Sequence, residues 1–360
     1  MSASTAPAHH GMIITMLSTP ATPTAPSERS RDSAPYRLAA TIAVVLLSLI
    51  AVTACGLRID SPPAAAPTPD AAEATRQSLV ADALATVAMT DTLAADAQLP
   101  DAVTRIVTDI GSDARDHYTA LGSVYDPGPD YIADPAPTTS FDAENVSTQS
   151  LATALATYAN RVRSSLPTVA DPLRARLYAT IAVNQLDAAT RLAKATKESL
   201  PDIDIVEARA QALSAALPQG LSDRQAADLI AAQDAIGYAR EHIGLRAAKS
   251  KSEKILSLSR DYRSQATKWA QQYDLDGTSD DPREVFYVLV KDPTSSKQLT
   301  AAIASVQQDQ THRLSAAISV VDADQRIAAF DLMTSAYADA LAQGAHRTGY
   351  PGMPEYPANA

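Results

Sequence analysis

The chain has 360 residues, 46 % of them hydrophobic and 5 % aromatic, with one cysteine and a formal net charge of −11. One cysteine excludes a disulfide framework. An acidic chain without interleaved aromatic and basic residues excludes nucleic acid as a partner, and the scarcity of glycine, with no Gly-x-Ser-x-Gly and no phosphate loop, removes the serine-hydrolase, P-loop and Rossmann classes.

The N-terminal part reads as an export signal. Arg29, Arg31 and Arg37 precede an uncharged run from Leu38 to Ala54, as in a secretory signal. The run is slightly shorter than the roughly 20 apolar residues of a spanning helix. It closes on Val52-Thr53-Ala54-Cys55, which resembles the bacterial lipobox: an aliphatic residue, two small residues and the thiol that takes the lipid. Cleavage between Ala54 and Cys55 with lipid attachment at Cys55 is expected. Membrane lipid is then the first partner, and the extracytoplasmic face of the cell membrane the location. The mature chain carries a net charge of −12, since the removed segment holds three basic and two acidic residues. Residues 55–69 form a Pro/Ala tether.

From Asp70 onward the pattern is helical. Two helices, beginning near Asp70 and Asp101, meet through a short turn; the second carries Val103, Ile106, Ile110, Ala114, His117 and Leu121 at spacings of three and four. A long Pro- and Asp-rich connection, Asp126 to Asn145, holds Tyr131 and Phe141. A third helix follows, and Asp171-Pro172 opens a fourth with an N-cap and an N1 proline. After Leu200-Pro201 a bridging helix leads to Gly220. Ser222 to Gln225 is a capping box that opens the second half. There the order repeats: helix, short turn, a helix with Ile255, Leu258, Tyr262, Ala266, Trp269 and Tyr273, a long connection with a short helix at Asp281-Pro282, a long helix capped by Asp292-Pro293, and a last helix from Asp322. Short turns make antiparallel neighbours, and one long central connection is the crossover of a ferritin-like bundle. The expected fold is all-α, two such bundles in tandem: 70–200 as an N-terminal helical bundle, 201–219 as the bridging helix, 220–344 as the second bundle and 345–360 as a flexible tail.

Leu229-Ile-Ala-Ala-Gln-Asp-Ala-Ile-Gly-Tyr238 resembles the first-helix signature of the actinobacterial ferritin-like lipoproteins of unknown function. The Asp292 to Leu341 region and the Gly-Leu-Arg-Ile-Asp-Ser-Pro-Pro that follows Cys55 fit the same family. The resemblance covers roughly 220–344 plus the anchor, and implies a ferritin-like domain in an envelope lipoprotein without implying an activity. The family signature has Glu-His where this chain has Gln233-Asp234.

That departure bears on chemistry. A di-iron bundle needs inward carboxylates and Glu-x-x-His pairs on facing helices. The acid-x-x-His of the second half, Asp309 and His312, falls off the apolar stripe Leu299, Ile303, Val306, Gln310, Leu314 at about 100° per residue. The inward polar positions are Gln310 and Gln233, and amides are poor ligands for a hard cation. Two glutamines pairing with each other or with tyrosines inside the bundle are expected, with no cofactor and no metal. His117 has Asp113 one turn before it, half of a metal or acid–base site, or a core-edge histidine bonded to a neighbour. Glu241-His242 points to two sides of its helix. His346 sits in the tail. The segment Arg240 to Lys268 has eight basic residues against three acidic ones, and Arg246, Lys249, Lys251 and Lys254 are the candidate docking residues for anionic headgroups or an acidic partner.

The expected function is a non-catalytic binding or scaffold protein of the cell envelope with an envelope protein as partner. The alternatives are metal or redox handling with a non-standard ligand set, and small-molecule binding between the bundles at Tyr238, Tyr262, Trp269 and Tyr337.

Overall fold

The computed structural model describes residues 64–65, 68–126, 131–132, 145–288, 295–354 and 356. The export signal, Ala54, Cys55, Phe141 and Asp292-Pro293 lie outside the described residues.

The described chain is all-helical apart from one two-residue parallel pairing of Ala64–Ala65 with Tyr131–Ile132. In the first half α1 (Ala71–Ala94) and α2 (Asp101–Ala120) form one hairpin, α3 (Thr148–Ser165) and α4 (Pro172–Thr196) a second. A short helix, α5 (Asp204–Gln211), continues as a 3₁₀ turn at Ala212–Ser214. In the second half α6 (Asp223–Arg246) pairs with α7 (Lys249–Gln272), and α8 (Ser296–Ile318) with α9 (Arg326–Ala342).

Local chemistry sets most of the helix starts. The Asp70 carboxylate accepts from Glu73 N at 2.8 Å, and Asp171 accepts from Leu173 N at 2.9 Å one residue before Pro172. Both satisfy amides that have no partner inside the helix. Capping boxes open α3 at Ser147, α6 at Ser222 and α8 at Ser295. Two expectations need correction. α8 is capped by Ser295 with Gln298, not by Asp292. Residues 281–288 form no helix, because the Asp281 side chain accepts from Arg283 N at 3.1 Å and Gly277 N at 3.1 Å, which closes a loop instead.

In the first half α1 packs on α2 and α3, and α4 on α3 and α2. In the second, α6 packs on α7 and α8, and α8 on α9. The halves meet where α4 crosses α8 and α9. One apolar core runs through both, from Leu79, Val162 and Ile181 to Trp269, Leu314 and Phe330. A smaller cluster fills the rest of the first half around Met89, Val107, Leu155 and Leu192, and another surrounds Ile236, Tyr262 and Ile303. The described residues accordingly form one compact unit. Arginines fasten the seam. Arg163 grips Asp331 with two bonds of 2.7 Å, a bidentate geometry that is stronger than a single charged contact. Arg326 donates to Leu166 O at 3.1 Å and Val169 O at 2.5 Å.

The tail is a further correction. Far from hanging free after Ala345, residues 348–353 lie across both halves. Tyr350 and Met353 are 5 % and 6 % exposed. His117 Nε2 is 2.9 Å from Gly349 O, Asn184 donates to Thr348 O at 3.1 Å, Thr180 to Pro351 O at 3.2 Å and Arg176 to Gly352 O at 3.1 Å. On the other side His312 Nδ1 meets Gly352 O at 3.0 Å and the Tyr337 hydroxyl accepts from Thr348 N at 3.1 Å. The physical reason is that the tail carries two burying side chains and a run of carbonyls that the buried donors of α2, α4 and α8 require.

Gly352 makes the close approach feasible. Its φ is +75°, and a Cβ there would stand 2.6 Å from Ser315 Cβ and 2.8 Å from Thr311 O. Gly352→Ala is expected to loosen the tail selectively: amide exchange over 346–354 accelerates while the helix interiors keep their protection. Unchanged tail exchange would contradict this docking.

Candidate functional site

The candidate site is the interior among α6, α7, α8 and α9, the place to which a ferritin-like reading of the second half would assign its chemistry. α6 and α8 present Gln233 and Gln310, both 3 % exposed, and α7 adds Gln265 at 2 %. The three amides form a directed chain. Gln310 Nε2 donates to Gln233 Oε1 at 2.8 Å, and Gln233 Nε2 donates to Gln265 Oε1 at 2.5 Å. Gln265 Nε2 then donates to the carbonyls of Ala212 at 2.6 Å and Ala215 at 3.0 Å, and Trp269 Nε1 joins it on Ala215 O at 2.9 Å. The bundle interior therefore binds the end of the connecting segment that precedes it.

Beside this chain, Gln307 Nε2 donates to the Tyr262 hydroxyl at 3.1 Å, and that hydroxyl donates to Asp339 on α9. The Arg240 guanidinium lies over the Tyr262 ring, 4.9 Å from its centre. Burial, and next the charge of Asp339, push the Tyr262 hydroxyl far above its ordinary range. It stays a proton donor to Asp339 and is not a base. The space among Gln233, Gln265, Gln310, Tyr262 and Asp339 amounts to about 20 Å³, which is the room of one water molecule.

These residues do not fit a di-metal centre. Three neutral amides supply no charge to offset a divalent cation, and the oxygens of Gln233 and Gln265, the atoms that would ligate, already accept from Gln310 and Gln233. Among the described residues no group of three or more His, Cys, Asp or Glu could hold a metal ion. Asp309 and His312 line one surface cleft, but both are engaged: Asp309 accepts from Arg313 at 2.6 Å, and His312 bonds the tail carbonyl. Glu241 accepts from Arg263 at 3.2 Å, while His242 packs on Tyr238 with ring centres 4.5 Å apart.

The four aromatic residues expected to line one pocket do not converge. Tyr262 and Trp269 face the small interior space, Tyr337 lies beneath the tail, and Tyr238 packs outward against Phe286 and Tyr287. Arg246, Lys249, Lys251 and Lys254 are all exposed, at the α6–α7 turn.

Asp113 and His117 meet the tail instead of a second ligand pair. Asn184 donates to Asp113 at 2.9 Å. A carbonyl only accepts, so the His117 nitrogen facing Gly349 O carries the proton. A surface cleft of about 280 Å³ opens there, with Asp109–Arg191 and Asp187–Arg347 ion pairs on its walls. Gln265 and the docked tail are the parts that sequence patterns missed. Gln265 lies one turn after Tyr262 on the stripe of α7, and that spacing was the available signal.

No protein-family profile, curated protein or solved structure matches the chain.

Gln265→Leu would leave Gln233 Nε2 without an acceptor and take one donor each from Ala212 O and Ala215 O, which keep Ala215 N and Trp269 Nε1, and a loss of about 1–3 kcal/mol is expected, measured by equilibrium urea unfolding. A second expectation concerns pH. Burial holds His117 below the usual histidine value of 6.5, against the opposing pull of Gly349 O and Asp113. The unfolded chain then binds that proton first, so stability falls as the pH drops below about 6.5. Asp113 has the opposite sign, because burial raises its pKa and the native state takes up its proton early. His117→Gln keeps a donor for Gly349 O without the titration. Between pH 7.5 and 6 its urea midpoint should move less than that of the unaltered chain.

Proposed function

We propose that the chain is a lipid-anchored protein of the extracytoplasmic membrane face, in which two ferritin-like bundles serve as a non-catalytic scaffold for another envelope component. The observation that carries the non-catalytic reading is the amide chain Gln310–Gln233–Gln265. It closes the centre of the second bundle on itself and on the backbone of residues 212–215, so the space where a ferritin-like enzyme would activate oxygen is spent on holding the fold together. The helix order supports the ferritin-like reading: each half has two hairpins joined by one long connection, through 121–147 in the first and 273–295 in the second. The resemblance of residues 229–238 to the actinobacterial lipoproteins points the same way. The anchor rests on the lipobox at Val52 to Cys55. A single acyl chain holds a protein only marginally, so a diacylglyceryl thioether with a further chain is the form proposed. No described helix is long and apolar enough to cross a membrane.

Metabolic labelling with a lipid precursor and membrane flotation test the anchor. The unaltered chain should take up label and float with membranes, and Cys55→Ser should lose the label. A Cys55→Ser chain that labels and floats as before would overturn the anchored reading.

A further inference from the structure

Among the described residues eight large apolar side chains are exposed, and four of them sit on one flank of the second bundle: Leu245 at 68 %, Val285 at 95 %, Phe286 at 66 % and Val288 at 77 %. Leu245 belongs to the last turn of α6. The other three belong to the loop after α7, and they are displayed rather than frayed. Arg283 Nη1 donates to Thr267 Oγ1 on α7 at 2.7 Å. The Tyr287 hydroxyl donates to Asp234 on α6 at 2.9 Å and accepts from Glu284 N at 2.9 Å. Phe286 meets the Tyr238 ring edge-on, 6.0 Å between centres. Tyr287 thus turns inward as a peg, and its neighbours turn outward. Tyr238 lies two helical turns from Arg246, about 12 Å along the axis, so the apolar loop borders the α6–α7 turn. There Arg246, Lys249, Lys251 and Lys254 are all exposed, with Glu253 among them. None of these four cations forms an ion pair among the described residues.

We infer that the α6–α7 turn and the 285–288 loop together form a bilayer-docking surface, in which Val285, Phe286 and Val288 enter the interface and the four cations bind anionic headgroups. The inference rests on the membrane-anchored reading and adds a second, oriented contact to it. Consecutive exposed apolar residues are a liability in water unless something covers them. Lysine beside aliphatic and aromatic side chains is the composition of interfacial membrane contacts, whereas lysine is depleted from protein–protein interfaces. The choice of a bilayer over an acidic protein follows from that. The rest of an acidic chain is repelled by the same headgroups, which orients the molecule with this flank down. The opposite end of α6 lies beside the start of α4: Gln219 N donates to Gln325 at 3.1 Å, and next to it Arg326 donates to Leu166 O and Val169 O.

Tryptophan quenching by brominated lipid reads contact with acyl chains directly. Trp269 is 1 % exposed and gives a constant background. The whole chain is purified in detergent and moved into vesicles with brominated acyl chains, carrying Phe286→Trp or, at the far end, Leu173→Trp. In mixed phosphatidylglycerol–phosphatidylcholine vesicles the Phe286→Trp emission should be quenched and the Leu173→Trp emission not. Adding Arg246→Gln, Lys249→Gln, Lys251→Gln and Lys254→Gln, or using phosphatidylcholine alone, should weaken that contact about tenfold or more. Equal quenching at the two positions overturns the inference, as does quenching that ignores the cations. Quenching at neither position also overturns it, and is the outcome for a surface that meets an acidic protein. Flotation separates the two proposals. A chain that floats through Cys55 without quenching at position 286 leaves the anchor standing and removes this surface. Quenching in a chain whose Cys55→Ser variant floats equally well does the reverse.

Discussion

A buried amide must be hydrogen-bonded on both its oxygen and its nitrogen, or the fold loses a few kcal/mol for each group left bare. The second half of this chain is arranged around that requirement. Gln310 on α8 satisfies Gln233 on α6, Gln233 satisfies Gln265 on α7, and Gln265 closes the chain on the backbone at Ala212 and Ala215. Three helices and the connecting segment are thereby fixed in one register. The connecting segment in turn ties back to the first half, where Asn160 accepts from Ile205 N at 3.1 Å and Arg209 donates to Thr190 at 3.2 Å. The amide chain is continuous from α8 to the backbone, while Gln307 Oε1 and Arg240 Nε beside it are buried without a protein partner; a continuous chain of this kind favours one arrangement. An active centre would need some of these groups free.

The seam between the halves follows the same rule with charge added. Arg163 and Asp331 are both only partly exposed, at 17 % and 15 % for their side chains, so their bidentate pair is screened less than an open surface pair would be. Arg326 Nη1 adds a donor to the carbonyls of Leu166 and Val169 in the turn after α3, and Arg176 reaches both Ser315 and the tail. The tail completes the seam by presenting the carbonyls of Thr348, Gly349 and Pro351 to Asn184, His117 and Thr180. The two halves have the helix order of two bundles, but they share a core and are closed by one strap.

Much of the helix layout was legible from residues alone. The spacing of apolar positions set the helices, and Asp70, Asp171-Pro172 and Ser222 with Gln225 marked starts through local hydrogen bonds that need no tertiary partner. Gln233 and Gln310 could be placed on inward faces because they fall on apolar stripes. What the residues did not disclose depends on distant contacts. Asp281-Pro282 looks like a helix start, yet Arg283 and Tyr287 are held by Thr267 and Asp234 from other elements. The Gly- and Pro-rich tail reads locally as loose chain, and only the donors of α2, α4 and α8 give it a place. Gln265 stands at stripe spacing from Leu258, Tyr262 and Trp269, but nothing local brings the carbonyls of Ala212 and Ala215 to it.

The central claim is that the heart of the second bundle is structural, with amides in the place of ligands. Calorimetric titration of the purified chain with ferrous iron and with manganese tests this most directly. The account predicts no stoichiometric heat and no change in the unfolding midpoint at saturating metal. Two equivalents bound per chain, with binding lost in Gln233→Leu and Gln310→Leu, would contradict it.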